Sequence, residues 1–112
     1  MAVLTAPDLT QVNLLAQPIA PRASARAFLS RGRGLMFTAS NLPPLRAGRG
    51  YQLWIVTPQA TLSAGMLQVD DSGRVAQTFD APQDLPSSVI LAVTEEPAAG
   101  VPAPTGDKYL VG

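Results

Sequence analysis

The chain is 112 residues long, with 46% hydrophobic and 14% charged residues and a formal charge of zero, which is the make-up of one folded domain and not of a disordered segment. It has no cysteine and no histidine, so disulfides, thiolate nucleophiles, Cys/His zinc sites, histidine bases and haem ligation are excluded together. Eleven prolines and nine glycines, spread along the sequence, leave few uninterrupted helical turns. No run approaches the ~20 apolar residues that span a bilayer. The opening Met1-Ala2-Val3-Leu4-Thr5-Ala6-Pro7 lacks the basic flank and apolar length of a signal peptide, so the chain as given reads as soluble.

In chain order, residues 9–15 mix polar and apolar side chains and read as a first strand at a sheet edge. Residues 23–29 alternate cleanly: Ala23, Ala25, Ala27 and Leu29 fall on one face, and small residues there let an opposing layer come close. Ser30-Arg31-Gly32-Arg33-Gly34 is a turn. Leu35, Phe37 and Ala39 form the inner face of the next strand. Asn41-Leu42-Pro43-Pro44 cannot continue a ladder, because proline has no N–H to donate, so the chain crosses over there. Residues 51–57 are apolar on both faces, as a central covered strand is. Asp70-Asp71-Ser72-Gly73 is a four-residue turn joining residues 65–69 to residues 74–79 as a hairpin. Ala81-Pro82-Gln83-Asp84-Leu85-Pro86 is a loop, residues 89–94 are a second buried strand, and residues 108–111 close the sheet. The result is an all-β fold of about eight short strands, expected as a two-sheet antiparallel β-sandwich of the Ig-like, Greek-key type.

Residues 1–50 carry six arginines (22, 26, 31, 33, 46, 49) against Asp8, whereas residues 51–112 carry seven acids against Arg74 and Lys108. Interleaved strands that complement each other in sign account for this, and so does a basic face turned to anionic lipid headgroups or an acidic partner. Nucleic acid fits poorly, since the arginines lack interleaved aromatics and the net charge is zero. The Asp70–Gly73 segment lacks the spacing and bidentate glutamate of a calcium loop. Glu95 and Glu96 are adjacent on a strand and point to opposite faces, which favours a structural carboxylate over a catalytic acid–base pair. The inward one, Glu96, is expected to accept hydrogen bonds from amides of residues 98–106. Ser63, Ser72, Ser87 and Ser88 have no histidine to activate them, and Gly32-Arg33-Gly34 and Gly48-Arg49-Gly50 are too short to cradle a phosphate. Trp54 reads as a core residue whose indole N–H bonds a nearby carbonyl. No catalytic, cofactor or metal site is expected.

Two segments nevertheless belong together: Asn41-Leu42-Pro43-Pro44 before Tyr51-Gln52-Leu53-Trp54, and Thr94-Glu95-Glu96-Pro97 before Pro102-Ala103-Pro104-Thr105-Gly106. With Ser63-Ala64-Gly65 and Val69-Asp70-Asp71-Ser72-Gly73 between them, their order and spacing resemble the C-terminal domain of anti-sigma-K factors, from about residue 23 to residue 112. The resemblance makes Tyr51, Gln52, Leu53, Trp54, Glu96, Pro97, Pro104, Thr105 and Gly106 the motif positions, with structural roles. It implies a non-enzymatic extracytoplasmic regulatory or sensor domain, excised from a single-pass membrane protein. The parent's cytoplasmic domain, absent here, would hold an extracytoplasmic-function sigma factor, and an absent transmembrane helix would anchor it. Regulated proteolysis would release the sigma factor, and loosening of the first strand would expose the membrane-proximal segment to a protease. An unknown extracytoplasmic ligand is a further partner, with residues 41–45 and 98–105 as the surface to examine. The rival readings are a stand-alone extracytoplasmic β-sandwich module for binding or adhesion, and a hydrolase in which Glu96 or Asp80 meets a second acid.

Overall fold

The computed structural model describes residues 10–30, 34–80 and 89–112. Leu9 of the expected first strand, the centre of the turn at residues 30–34, the loop at residues 81–86, and Ser87 and Ser88 lie outside the described residues. The strands are β1 (Thr10–Ala16), β2 (Ser24–Ser30), β3 (Gly34–Ser40), β4 (Arg49–Val56), β5 (Thr61–Met66), β6 (Val75–Phe79), β7 (Ile90–Pro97) and β8 (Lys108–Val111). No helix occurs among the described residues.

The eight strands form one antiparallel sheet in the order β5-β4-β7-β8-β1-β2-β3-β6, curled into a nearly closed barrel. The all-β class and the strand number agree with the sequence reading, but the expected division into two sheets does not. The reason is β1. Its residues Thr10 to Leu14 pair with Leu29 to Ala25 of β2, and then Leu15 and Ala16 pair with Val111 and Leu110 of β8. A strand that changes neighbour midway joins both halves into one hydrogen-bonded surface. The edge position expected for this strand is therefore corrected. In the strand order β1 lies between β8 and β2, although Thr10 to Leu14 pair with β2 alone; Leu14 is buried on the inner side and the polar residues face outward.

The remaining edges are β5 and β6. The expected hairpin between residues 65–69 and 74–79 forms only its turn: β5 ends at Met66, and the ladders run from β5 to β4 and from β6 to β3. The actual hairpin partner of β5 is β4, joined by a turn in which the Thr57 amide donates to the Ala60 carbonyl at 2.8 Å. Where β5 ends, the Gln77 side chain stands in for a backbone ladder. The Gln68 amide donates to Gln77 Oε1 at 2.9 Å, and Gln77 Nε2 donates to the Met66 carbonyl at 3.1 Å.

Inside the barrel, Leu35, Phe37, Leu53, Ile55, Leu91, Val93 and Leu110 are fully buried. Each such side chain is worth about 1.5–3 kcal/mol relative to exposure. Ala23 and Ala27 of the β2 region are buried too, and their small size lets the opposing wall close on them, as the alternation predicts. The crossover at Asn41-Leu42-Pro43-Pro44 carries the chain from β3 to β4, which are not neighbours in the sheet. Asn41 makes the bend at a φ of 59°, a conformation that asparagine tolerates better than most residues.

The Asp70–Gly73 turn docks on this crossover. Asp70 Oδ1 accepts the amides of Ser72 and Arg74, as the turn reading requires. The Leu42 amide donates to the Gly73 carbonyl at 3.1 Å. Gly73 has a φ of +77°, and a Cβ placed there would lie 2.6 Å from the Leu42 carbonyl oxygen. Gly48 has a φ of +81° with nothing close to such a Cβ. Gly73→Ala should therefore cost about 2 kcal/mol or more, and Gly48→Ala only about 1 kcal/mol, as read from urea midpoints. Equal losses would show that the contact with Leu42 is not limiting.

Candidate functional site

The β4 strand alternates between two environments. Tyr51, Leu53 and Ile55 face the barrel core, and Gln52 and Trp54 face outward. Across the ladder to β7, Gly50 pairs with Glu96, Gln52 with Thr94 and Trp54 with Ala92. Gln52, Trp54, Thr94 and Glu96 thus share the outer face. An outer face of an antiparallel sheet ordinarily meets water. Here all four side chains are buried, Trp54 and Glu96 at 0% exposure.

Over Gln52 and Glu96 the cover is a strap that runs from Pro97, the last residue of β7, to residue 107 before β8 and folds back over β4. It turns at once, the Gly100 amide donating to the Pro97 carbonyl at 2.8 Å, with Gly100 at a φ of +83°. Gln52 then grips it as a backbone strand would. Its Nε2 donates to the Val101 carbonyl at 3.0 Å, and its Oε1 accepts the Val101 amide at 3.1 Å. The same Nε2 also donates to Ser63 Oγ on β5 at 2.7 Å. Pro102 and Pro104 are exposed and fix φ at their positions, which limits the freedom of the arch between its two holds.

The second hold is Glu96. Trp54 Nε1 donates to Thr94 Oγ1 at 2.8 Å, and that hydroxyl donates onward to Glu96 Oε2 at 2.6 Å. From the strap, Glu96 accepts the Thr105 amide at 3.1 Å, the Thr105 hydroxyl and the Gly106 amide at 3.2 Å. The donors are all neutral. Burial pushes the Glu96 carboxyl upward, but the Thr105 and Thr94 hydroxyls with the Gly106 and Thr105 amides outweigh it and hold the group below its ordinary value. Gly106 is constrained sterically, since a Cβ there would overlap the Glu95 carbonyl.

The sequence reading placed these partners well and their side of the sheet less well. Glu96 takes amides from the residue 98–106 segment as expected, yet it points out of the barrel and is buried only because the strap returns over it. Trp54 likewise lies outside the core cluster, bonded to a hydroxyl and not to a carbonyl. Leu53 and Tyr51 are on the inner face and belong to the barrel, while Gln52, Trp54, Glu96, Pro97, Thr105 and Gly106 come together at the strap. Thr94 and Val101 were not anticipated. Thr94 sits two residues before Glu96 on the same strand, a spacing that puts both on one face.

Glu95, on the opposite face, closes the mouth of the barrel. Tyr109 Oη donates to its Oε1 at 2.8 Å and Arg49 Nε to its Oε2 at 3.0 Å, which together hold Glu95 below the usual carboxylate value. Tyr109 packs edge-on against Tyr51, ring centroids 5.0 Å apart. Burial, with the Glu95 hydrogen bond, raises the Tyr109 hydroxyl to about 12, and burial raises that of Tyr51 further, so both phenols stay protonated. The Arg49–Glu95 pair joins the arginine-rich first half to the acidic second half, in line with interleaved strands. Beside it a cleft of about 550 Å3 opens between residues 41–45 and the Asp70–Gly73 turn, lined by Leu42, Pro43, Pro44, Tyr51 and Leu67 among others. It coincides with one of the two loops expected to offer a recognition surface. The two glutamates diverge, and Asp80 lies exposed just after β6, so among the described residues the carboxylate-pair rival finds no support at either position.

Glu96→Gln should remove about 2–3 kcal/mol of stability in urea denaturation, because its amide group would face hydroxyl and amide donors. The acid limb follows from the directions above. Carboxyls held below their ordinary 4.5 in the fold stabilise it above that pH, and the contribution is lost as pH falls through the folded values. Stability should therefore decline below about pH 4.5, less steeply in Glu96→Gln than in the parent chain. Identical acid limbs would show that Glu96 is not the group being protonated.

Comparison with known proteins gives a consistent answer. Residues 2–108 match the family described as anti-sigma-K factor RskA, C-terminal, a span that starts earlier than the motifs alone suggested. The chain is similar to the anti-sigma-K factor RskA of Mycobacterium tuberculosis, 34% identical over 109 residues, with 93% of this chain and 43% of the relative covered. The Mycobacterium ulcerans protein of the same name is 33% identical over 111 residues, covering 93% and 43%. That of Mycolicibacterium vanbaalenii is 34% identical over 105 residues, covering 92% and 42%. No solved structure matches. The chain spans less than half the length of these curated relatives, and it belongs to the anti-sigma-K factor C-terminal domain family.

Proposed function

We propose that this chain is the extracytoplasmic sensor domain of a membrane-anchored anti-sigma factor, regulatory and not catalytic in role. The observation that carries the reading is the family match over residues 2–108, with relatives whose names make them anti-sigma-K factors. The parent's remaining part would hold the sigma factor, and a transmembrane helix would link the two. The domain would set the rate at which a protease cleaves the segment leading into it.

The fold supplies a physical basis for such a gate. A segment hydrogen-bonded within a sheet cannot adopt the extended, unpaired form that a protease cleft binds. Each residue of the β1 strand is held on one side, Thr10 to Leu14 by β2 and Leu15 and Ala16 by β8, so the strand is tied to two neighbours in succession. A ligand or partner that favours a loosened β1 would expose the preceding segment, and its effect is limited by its differential affinity for the two states. The cleft beside Pro43, Pro44 and Tyr51 offers a place for such a ligand.

Asn13 and Arg26 are opposed on β1 and β2, with both side chains exposed. In the membrane-bound parent, an Asn13→Cys, Arg26→Cys disulfide should slow cleavage about fivefold or more when oxidised and restore it on reduction, followed by immunoblot alongside a sigma-dependent reporter. Cleavage at one rate in both redox states would rule out β1 as the gate. A reporter indifferent to removal of the whole domain would rule out the regulatory role itself.

A further inference from the structure

The strap over Gln52 and Glu96 differs from the rest of the molecule in how it is held. None of residues 97–107 belongs to the hydrophobic core or packs on it as a partly buried hydrophobic member. Its attachments are polar: Gln52 to Val101, Glu96 to Thr105 and Gly106, the Ala98 amide to the Gly48 carbonyl, and the Glu95 amide to the Asp107 carbonyl. Pro97, Ala98, Ala99, Pro102, Ala103 and Pro104 are exposed. A segment with few buried apolar contacts opens at lower free energy than the core does.

What the strap leads into matters as much. It runs directly into β8, a four-residue strand that is the joint between β7 and β1 in the sheet order. That joint is slight. Only Leu15 and Ala16 of β1 pair with β8, and the Gln17 amide adds a bond to the Tyr109 carbonyl at 3.0 Å. On the far side, β1 is secured to β2 over Thr10 to Leu14, and β2 to β3 over seven residue pairs.

We propose that residues 97–107 are a latch that opens as one unit, and that its release uncovers Trp54 and loosens β8 together with the Leu15–Ala16 end of β1, while β2, β3 and β6 stay folded. Glu96 is the catch. Its hydrogen bonds tie the start of the strap, at the end of β7, to its finish at Thr105 and Gly106 just before β8. The titratable and charged groups closest along these elements are Glu95, Asp107, Lys108 and Arg49; Glu95 and Arg49 are paired with each other on the opposite face. This latch stands independently of the sigma-factor reading, because it is a property of the chain alone.

Native-state hydrogen exchange on the 112-residue chain tests it. The amides of Val101, Thr105 and Gly106 should exchange with a common opening constant, about tenfold or more faster than amides of the β2–β3 ladder. The Gln17 and Leu110 amides should fall between the two groups. Glu96→Gln, and the milder Thr105→Val, should accelerate the strap and the Gln17 group by about tenfold and leave the β2–β3 ladder within about twofold. Trp54 is the single tryptophan, so acrylamide quenching should rise in both variants before far-UV circular dichroism reports unfolding. Strap amides as protected as the β2–β3 ladder in the parent chain would overturn the latch. Acceleration confined to the strap, or spread evenly over the whole barrel, would overturn the coupling to β8.

Discussion

A carboxylate buried without a cation organises one side of this domain. Moving an ionised group out of water is prohibitive unless donors replace the lost hydration. Glu96 meets that condition through groups contributed by two separate stretches, Thr94 on its own strand and Thr105 with Gly106 on the strap. The requirement runs in both directions. Without the strap the carboxylate would lose the Thr105 and Gly106 donors; without the carboxylate the Thr105 and Gly106 amides would lack an acceptor. The relay through Thr94 extends the same constraint to the indole, whose N–H would otherwise be buried with no partner.

The second organising constraint is the shared strand β1. A sandwich of two separate sheets can slide or part along its interface, whereas a single sheet curled on itself must break backbone hydrogen bonds to open. The weak places are then set by ladder length. They are the short joint at β8 and the seam between β5 and β6, where Gln77 bridges with its side chain what a ladder would otherwise close. The distribution is a firm wall of β2 and β3 and a slight joint beside the strap.

Most of the strands were legible because alternation and turn chemistry are local. Ala23, Ala25, Ala27 and Leu29 needed only period two, and Asp70 with Gly73 needed only the geometry of a four-residue turn. The misreadings arose where the deciding partner was remote. Polar residues on β1 looked like an edge, and along Thr10 to Leu14 the strand does pair with β2 alone, but Leu15 and Ala16 reach the remote β8 and set β1 inside the strand order. Residues 65–69 and 74–79 looked like a hairpin because they flank a good turn, but β5 ends at Met66, its ladder runs to β4 and that of β6 to β3, and Gln77 bonds to Met66 and Gln68 by its side chain.

The candidate site divides along the same line. By itself the sequence determined that Glu96 would take amides from the proline-rich segment, because an acid at the end of an apolar strand beside a Pro/Gly loop has few other ways to be satisfied. It also determined, through the order of its motifs, the family to which the chain belongs. Only the tertiary structure decided that Glu96 and Trp54 lie on the outer face, that both are buried, and that a returning strap meets Glu96 there. Alternation assigns residues to two faces, but which face is covered depends on where a distant segment lands. Here that landing is fixed by Gln52 gripping Val101, a contact between residues far apart in the chain.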